Sequence, residues 1–105
     1  MDKLALLARL EAKPGKEKEV ENLLRSAQAI VEQEPGTNVW YAFRIGPTTF
    51  GIYDTFSDEQ GRQAHATGKV VDALNAHADL FAKPPQIEKL DILASKSAQR
   101  TTKAA

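Results

Sequence analysis

Two histidines, His65 and His77, are the chain's candidates for proton transfer near neutral pH. Gly61 and Gly68 flank His65 at helical spacing and would allow close approach to a sheet. His65 reads either as a proton-transfer group or as a surface residue on a small-residue helix. His77 falls on a stripe with Val70, Leu74 and Phe81, where a lone His is more often a core or boundary residue. The two lie on separate helical pieces, with no i, i+4 pair and no third obvious ligand, so no metal site is expected. Asp54 stands inside a strand, where Asp is disfavoured. It needs a partner: His65, a Tyr hydroxyl or a second subunit. Trp40 supplies a flat apolar surface, either as the wall of a ring pocket or as core filling. Asn38 and Arg44 share its face if the strand is regular. Arg44 reads equally as a surface cation at a strand end. Tyr53 and Tyr41 each carry a hydroxyl that suits a ligand or a core partner.

These residues must be positioned by a small number of elements. Leu4, Leu6, Ala8 and Leu10 alternate, which predicts a first strand over 4–12, stopped by Lys13-Pro14-Gly15. Val20, Leu23, Leu24, Ala27, Ile30 and Val31 recur at helical spacing and predict a helix over 16–34, ended by Pro35-Gly36. Residues 37–45 and 49–56 are rich in β-branched and aromatic types and predict a hairpin around Gly46-Pro47-Thr48. Ser57 to Gln60 has the pattern of a capping box. It opens a helix over 58–67, broken at Gly68 and resumed over 69–82. Pro84-Pro85 ends that piece, and residues 87–94 predict a fourth strand. The order β-α-β-β-α-β, with the second helix split, is that of the ferredoxin-like α+β unit. It implies a four-stranded antiparallel sheet with the helices on one face.

The chain of 105 residues fits one domain, expected over 1–94, with residues 95–105 as a flexible tail. Fourteen basic residues balance fourteen acidic ones. A general nucleic-acid binder needs excess Lys and Arg, so that class is not expected. Beyond Ala94 the charged residues, Lys96, Arg100 and Lys103, are all basic, which leaves the domain mildly acidic. Cysteine is absent, which excludes disulfides and thiolate metal sites. The apolar run Leu4 to Ala8 is too short for a signal segment or membrane span, so a soluble cytoplasmic protein is expected.

Six of the seven aromatic residues lie in the hairpin. A two-residue turn at Pro47-Thr48 would group Val39, Tyr41, Phe43, Ile45, Phe50, Ile52, Asp54 and Phe56 on one face. It would place Asn38, Trp40, Ala42, Arg44, Gly51, Tyr53 and Thr55 on the other. A three-residue turn would regroup them. Aromatic groups occupy both faces either way. A sheet apolar on both faces needs cover on both. Helices cover one, and a second copy is expected on the other, giving a homodimer.

The strand ending at Pro14-Gly15, the amphipathic helix, Pro35-Gly36, the aromatic hairpin and the segment Asp54 to His65 together resemble the antibiotic biosynthesis monooxygenase family. The resemblance covers about residues 3–94. It implies a dimeric α+β barrel of ferredoxin-like units. It implies oxidation of a quinol, anthrone or related phenolic compound by O₂ without metal or flavin, so no cofactor is expected. The family pattern has an acidic residue, an aromatic two places on and a His in the following helix. Asp54, Phe56 and His65 stand at those places, where the family more often shows Glu and Trp at the first two. On this reading His65 and Asp54 are the catalytic candidates. Asn38, Trp40, Arg44, Tyr53 and Phe56 are the substrate-binding ones. Other readings of the same barrel are a non-catalytic, stress-associated binding dimer, a lyase or isomerase, and a haem-degrading protein.

Overall fold

A computed structural model describes residues 2–96. The predicted tail therefore lies outside the described residues apart from Ser95 and Lys96. The elements are β1 (Leu4–Glu11), α1 (Glu17–Val31), β2 (Val39–Arg44), β3 (Thr49–Phe56), α2 (Glu59–Ala66), α3 (Lys69–Ala76) and β4 (Gln86–Asp91). A short 3₁₀ turn, Ala78–Leu80, follows α3. The strands form one antiparallel sheet in the order β2-β3-β1-β4. This is the ferredoxin-like arrangement, with the second helix divided into α2 and α3.

Local chemistry explains each boundary. Gly15 has φ of 85°, a left-handed conformation that favours glycine, and it turns the chain from β1 into α1. The acidic residues Glu17 and Glu19 lie in the first turn of α1, where they complement the helix dipole. One stripe of α1, Val20, Leu24, Ala27 and Val31, is buried against the sheet. It packs on Leu10, Phe50, Ile52, Leu74 and Phe81 in a core that Trp40 completes from β2. The capping of α2 differs from the expected box. Asp58 is the N-cap and accepts from the Gly61 N–H at 2.8 Å, while Ser57 pairs with the Asn38 amide at 2.9 Å. A carboxylate one residue later serves the helix N-terminus better than a neutral hydroxyl. His77 is exposed rather than on the core stripe, because α3 ends at Ala76 and His77 caps it.

The hairpin turn spans three residues, and this sets the faces. Val39 pairs with Thr55, Trp40 with Asp54 and Ala42 with Ile52. Trp40, Ala42, Arg44, Phe50, Ile52, Asp54 and Phe56 therefore share the helix side. Tyr53 joins Val39, Tyr41, Phe43 and Ile45 on the open side, away from the other candidate site residues. The turn is fixed from outside the hairpin. Thr48 and Thr49 donate their hydroxyls to Glu11 of β1 at 2.6 and 2.7 Å. Those bonds hold the Glu11 carboxyl below the usual carboxylate range. On the open side Tyr41 is 63% exposed and Ile45 49%. Phe43 lies over Gly51, where a Cβ would overlap the ring.

Candidate functional site

Helix α2 is eight residues long and brings two buried polar side chains to the sheet, Arg62 and His65. Arg62 donates to the backbone oxygens of Ala5 and Leu90, both at 3.3 Å, and pairs with Glu59. It anchors the helix across β1 and β4. Beside Arg62 on α2, a close backbone contact at Gly61 joins the helix to the turn after α1. A Cβ on Gly61 would meet the Gly36 carbonyl oxygen at 2.8 Å, and one on Gly36 would meet the Gly61 Cα at 3.0 Å. Gly61 thus permits approach to this turn, not to the sheet.

The contact delivers Glu34 to His65. Nδ1 of His65 lies 2.6 Å from Glu34 Oε1, and Nε2 lies 2.8 Å from Asp54 Oδ2. Glu34 also accepts the Thr37 hydroxyl at 2.8 Å. Asp54 is 2% exposed and His65 5%, while the Glu34 side chain keeps 19% of its surface open. The Phe56 ring packs against the imidazole, with centroids 5.6 Å apart. Burial, the largest single influence on His65, pushes its pKa down. The hydrogen bonds and charges of Asp54 and Glu34 together outweigh burial and hold the imidazole above its ordinary value.

Proton bookkeeping constrains this cluster. A neutral imidazole has one N–H and one lone pair. A lone pair facing a carboxylate oxygen at hydrogen-bond distance is repulsive. Both contacts are satisfied when two protons lie along the chain Asp54–His65–Glu34. That state is an imidazolium between two carboxylates, or a neutral ring with one carboxyl protonated. The two carboxylates approach opposite edges of the ring, so their oxygens diverge. Among the described residues no group of three or more His, Cys, Asp or Glu is placed to hold a metal ion.

A small cavity borders this cluster, and a larger groove lies one strand away. A cavity of about 50 Å³ is lined by Asp54 and His65 and otherwise by apolar groups such as Leu6, Ile52, Val70 and Leu74. A groove of about 500 Å³ runs between α1 and β2, lined by Leu24, Val31, Trp40, Phe50 and, toward its rim, Asn38 and Arg44. The groove has the size of a small-molecule site; the cavity has room for one or two small molecules. The titratable cluster sits by the small cavity, and the ring-sized space sits one strand away. Trp40 and Asp54 join them as direct cross-strand partners. Among the described residues Trp40 Nε1, Asp54 Oδ1 and Arg62 Nε are buried with no hydrogen-bond partner.

The candidates thus divide. Asp54, His65 and Phe56 meet at the buried cluster. Asn38, Trp40 and Arg44 line the groove. Arg44 is held there by Glu21 at 2.8 Å and lies over the Phe50 ring at 4.8 Å. Asn38 is tied to Asp2 at 2.7 Å as well as to Ser57. Tyr53 faces the open side of the sheet. The sequence reading missed Glu34 and Arg62. A Glu between a solvated helix face and Pro35-Gly36 carries no local mark, and its partner is 31 residues on.

The sequence matches the family described as antibiotic biosynthesis monooxygenase over residues 4–79. No curated protein matches the chain. Among solved structures, a Nitrosomonas europaea protein of unknown function is 48% identical, with TM-score 0.91, over 95% of this chain and 98% of its own. A candidate antibiotic biosynthesis monooxygenase from Caulobacter crescentus is 23% identical, with TM-score 0.76, over 89% of this chain and 92% of its own. A protein from Mycobacterium tuberculosis shares the fold at 14% identity, with TM-score 0.79, over 90% of this chain and 99% of its own.

Proposed function

Because the chain belongs to the antibiotic biosynthesis monooxygenase family, we propose that it oxidises a quinol, anthrone or related phenolic compound with O₂, using no bound cofactor. The observation that carries this reading is the pair of orphaned atoms on cross-strand neighbours, Trp40 Nε1 and Asp54 Oδ1. One is a donor and the other an acceptor. A phenolic hydroxyl accepts from the first and donates to the second, which satisfies both buried groups.

The ring lies in the groove against Trp40, and Arg44 and Asn38 sit near its polar rim. Asp54 takes the hydroxyl proton at Oδ1. The resulting phenolate is electron-rich enough to pass one electron to O₂. The small apolar cavity suits O₂, which is itself small and apolar. Superoxide forming there would lie beside His65, and the imidazolium form of the ring stabilises it. Recombination makes a C–O bond to the ring system. For an anthrone, one oxygen stays as the new carbonyl and the other leaves as water with the two methylene hydrogens. His65 and Asp54 act as proton handlers in this scheme.

The open face completes the reading. Exposed Tyr41, Phe43 and Ile45 beside half-buried Leu7 and Tyr53 form an apolar surface suited to a second copy, so the working unit is a homodimer. No described helix is long and apolar enough to cross a membrane.

The test is O₂ uptake with a naphthohydroquinone and an anthrone, in air and under argon. Protein-dependent uptake lost in Asp54→Asn and His65→Ala is the expected result. Turnover under argon would instead mark a lyase or isomerase. A second reading, binding without turnover, is favoured by the depth of Asp54. Tight binding of these compounds with no uptake would establish it.

A further inference from the structure

The geometry points to Glu34 as the solvent end of a proton relay that runs through His65 to Asp54. This rests on the reading of Asp54 as the group that takes the substrate proton, and it adds a route by which that proton leaves.

Both ring nitrogens of His65 are engaged, Nε2 by Asp54 and Nδ1 by Glu34. His65 cannot meet a substrate oxygen without giving up one of these contacts. Asp54 can, because Oδ1 is unpartnered. Asp54 has no route of its own to water, being 2% exposed. Glu34 has one, through the fifth of its side chain that stays open. Other charged groups do not compete for the ring. From β3 the group facing it is Asp54, and from the turn after α1 it is Glu34. On its own helix, Arg62 points to the Ala5 and Leu90 carbonyls and to Glu59.

One turnover of the relay balances as follows. The substrate O–H bond breaks, its electron pair stays on the substrate oxygen, and the proton binds Asp54. The proton on Nδ1 passes to Glu34 and then to water. Two protons then remain, one on Nε2 and one on Asp54. Reorientation of the imidazole turns an N–H to Glu34 and a bare nitrogen to Asp54, which gives up its proton to it, and the starting two-proton state returns. One proton enters at the buried end and one leaves at the turn, with the imidazole unchanged.

Glu34→Gln keeps the side chain's shape and a hydrogen-bonding oxygen but cannot carry a proton. The first measurement needs no substrate: exchange of the His65 ring N–H protons with water, followed by NMR in the intact protein. Loss of a relay slows this exchange, by about tenfold or more. Loss of a merely structural contact loosens the site and speeds it. Unchanged or faster exchange overturns the proposal. The second measurement is kcat for naphthohydroquinone oxidation in Glu34→Ala with added formate. Recovery of kcat with rising formate, at constant KM, is expected of a missing proton carrier. A loss that formate does not relieve overturns the relay. If exchange slows in Glu34→Gln while the unaltered protein shows no O₂ uptake with the naphthohydroquinone or the anthrone, the relay stands and the oxygenase reading falls.

Discussion

Replacing His65 by alanine removes the centre of a buried three-group cluster, and its cost follows from what is left behind. Asp54 is 2% exposed and meets the protein at Oδ2 through Nε2 of His65; its other oxygen has no partner. Without the imidazole it becomes a buried carboxylate with no hydrogen bond or countercharge. Breaking a buried pair in this way costs about 3–5 kcal/mol. Glu34 adds little, since it keeps Thr37 and access to water. The variant is therefore expected to lose about 3–5 kcal/mol at pH 7. Leucine at both 54 and 65 removes the charge and its partner together, so the double variant should lose less than the sum of the two single losses. Urea unfolding followed by fluorescence is a direct assay, because Trp40 is the chain's one tryptophan and stands opposite Asp54 on the neighbouring strand. Protomer concentration must be fixed if the protein is a dimer. A single-variant loss below about 1 kcal/mol at pH 7, or additive losses in the double variant, would refute the description of these residues as a coupled buried cluster.

Other outcomes follow from the same geometry. The pKa of His65 is raised above its ordinary 6.5 in the folded chain. Its contribution to stability is thus full below about pH 6.5 and disappears as pH rises through the folded value, which unfolding curves at pH 6 and 9 will show. Gly61→Ala places a Cβ 2.8 Å from the Gly36 carbonyl oxygen. The turn must move off α2, so the variant should lose about 1–3 kcal/mol and the His65 ring resonances should shift as Glu34 retreats. Gly51→Ala drives the Phe43 ring off the open face. The protomer should remain folded, while sedimentation should show weaker self-association if that face pairs copies.

The fold could be read in the sequence because each element announces itself over a few residues. Alternation in Leu4 to Leu10, a helical stripe from Val20 to Val31 and Pro-Gly pairs between them set the order of strands and helices. The hairpin register was not readable. Whether Gly46-Pro47-Thr48 closes with two residues or three depends on Thr48 and Thr49 finding Glu11, which lies 37 and 38 positions away. That one-residue difference moves Trp40 to the same face as Asp54 and sends Tyr53 to the opposite side. Asp54 and His65 were legible because their types are unusual where they stand. Glu34 was not, since an acidic residue at a helix end is ordinary and its contact with His65 exists through the Gly36–Gly61 approach.

The break between α2 and α3 has an electrostatic consequence of its own. Gly68 ends the helix within one turn of His65, where a Cβ would meet the Ala64 carbonyl oxygen at 3.0 Å and Glu34 Oε2 at 3.4 Å. An unbroken helix would place His65 near its middle, where the peptide dipoles on either side largely cancel. The interruption instead leaves the imidazole in a last turn, at the end where carbonyl oxygens concentrate negative potential. The backbone itself thus becomes a third source of attraction for a proton on that ring. A residue inserted to make α2 and α3 continuous would weaken the ring's hold on its proton without touching either carboxylate.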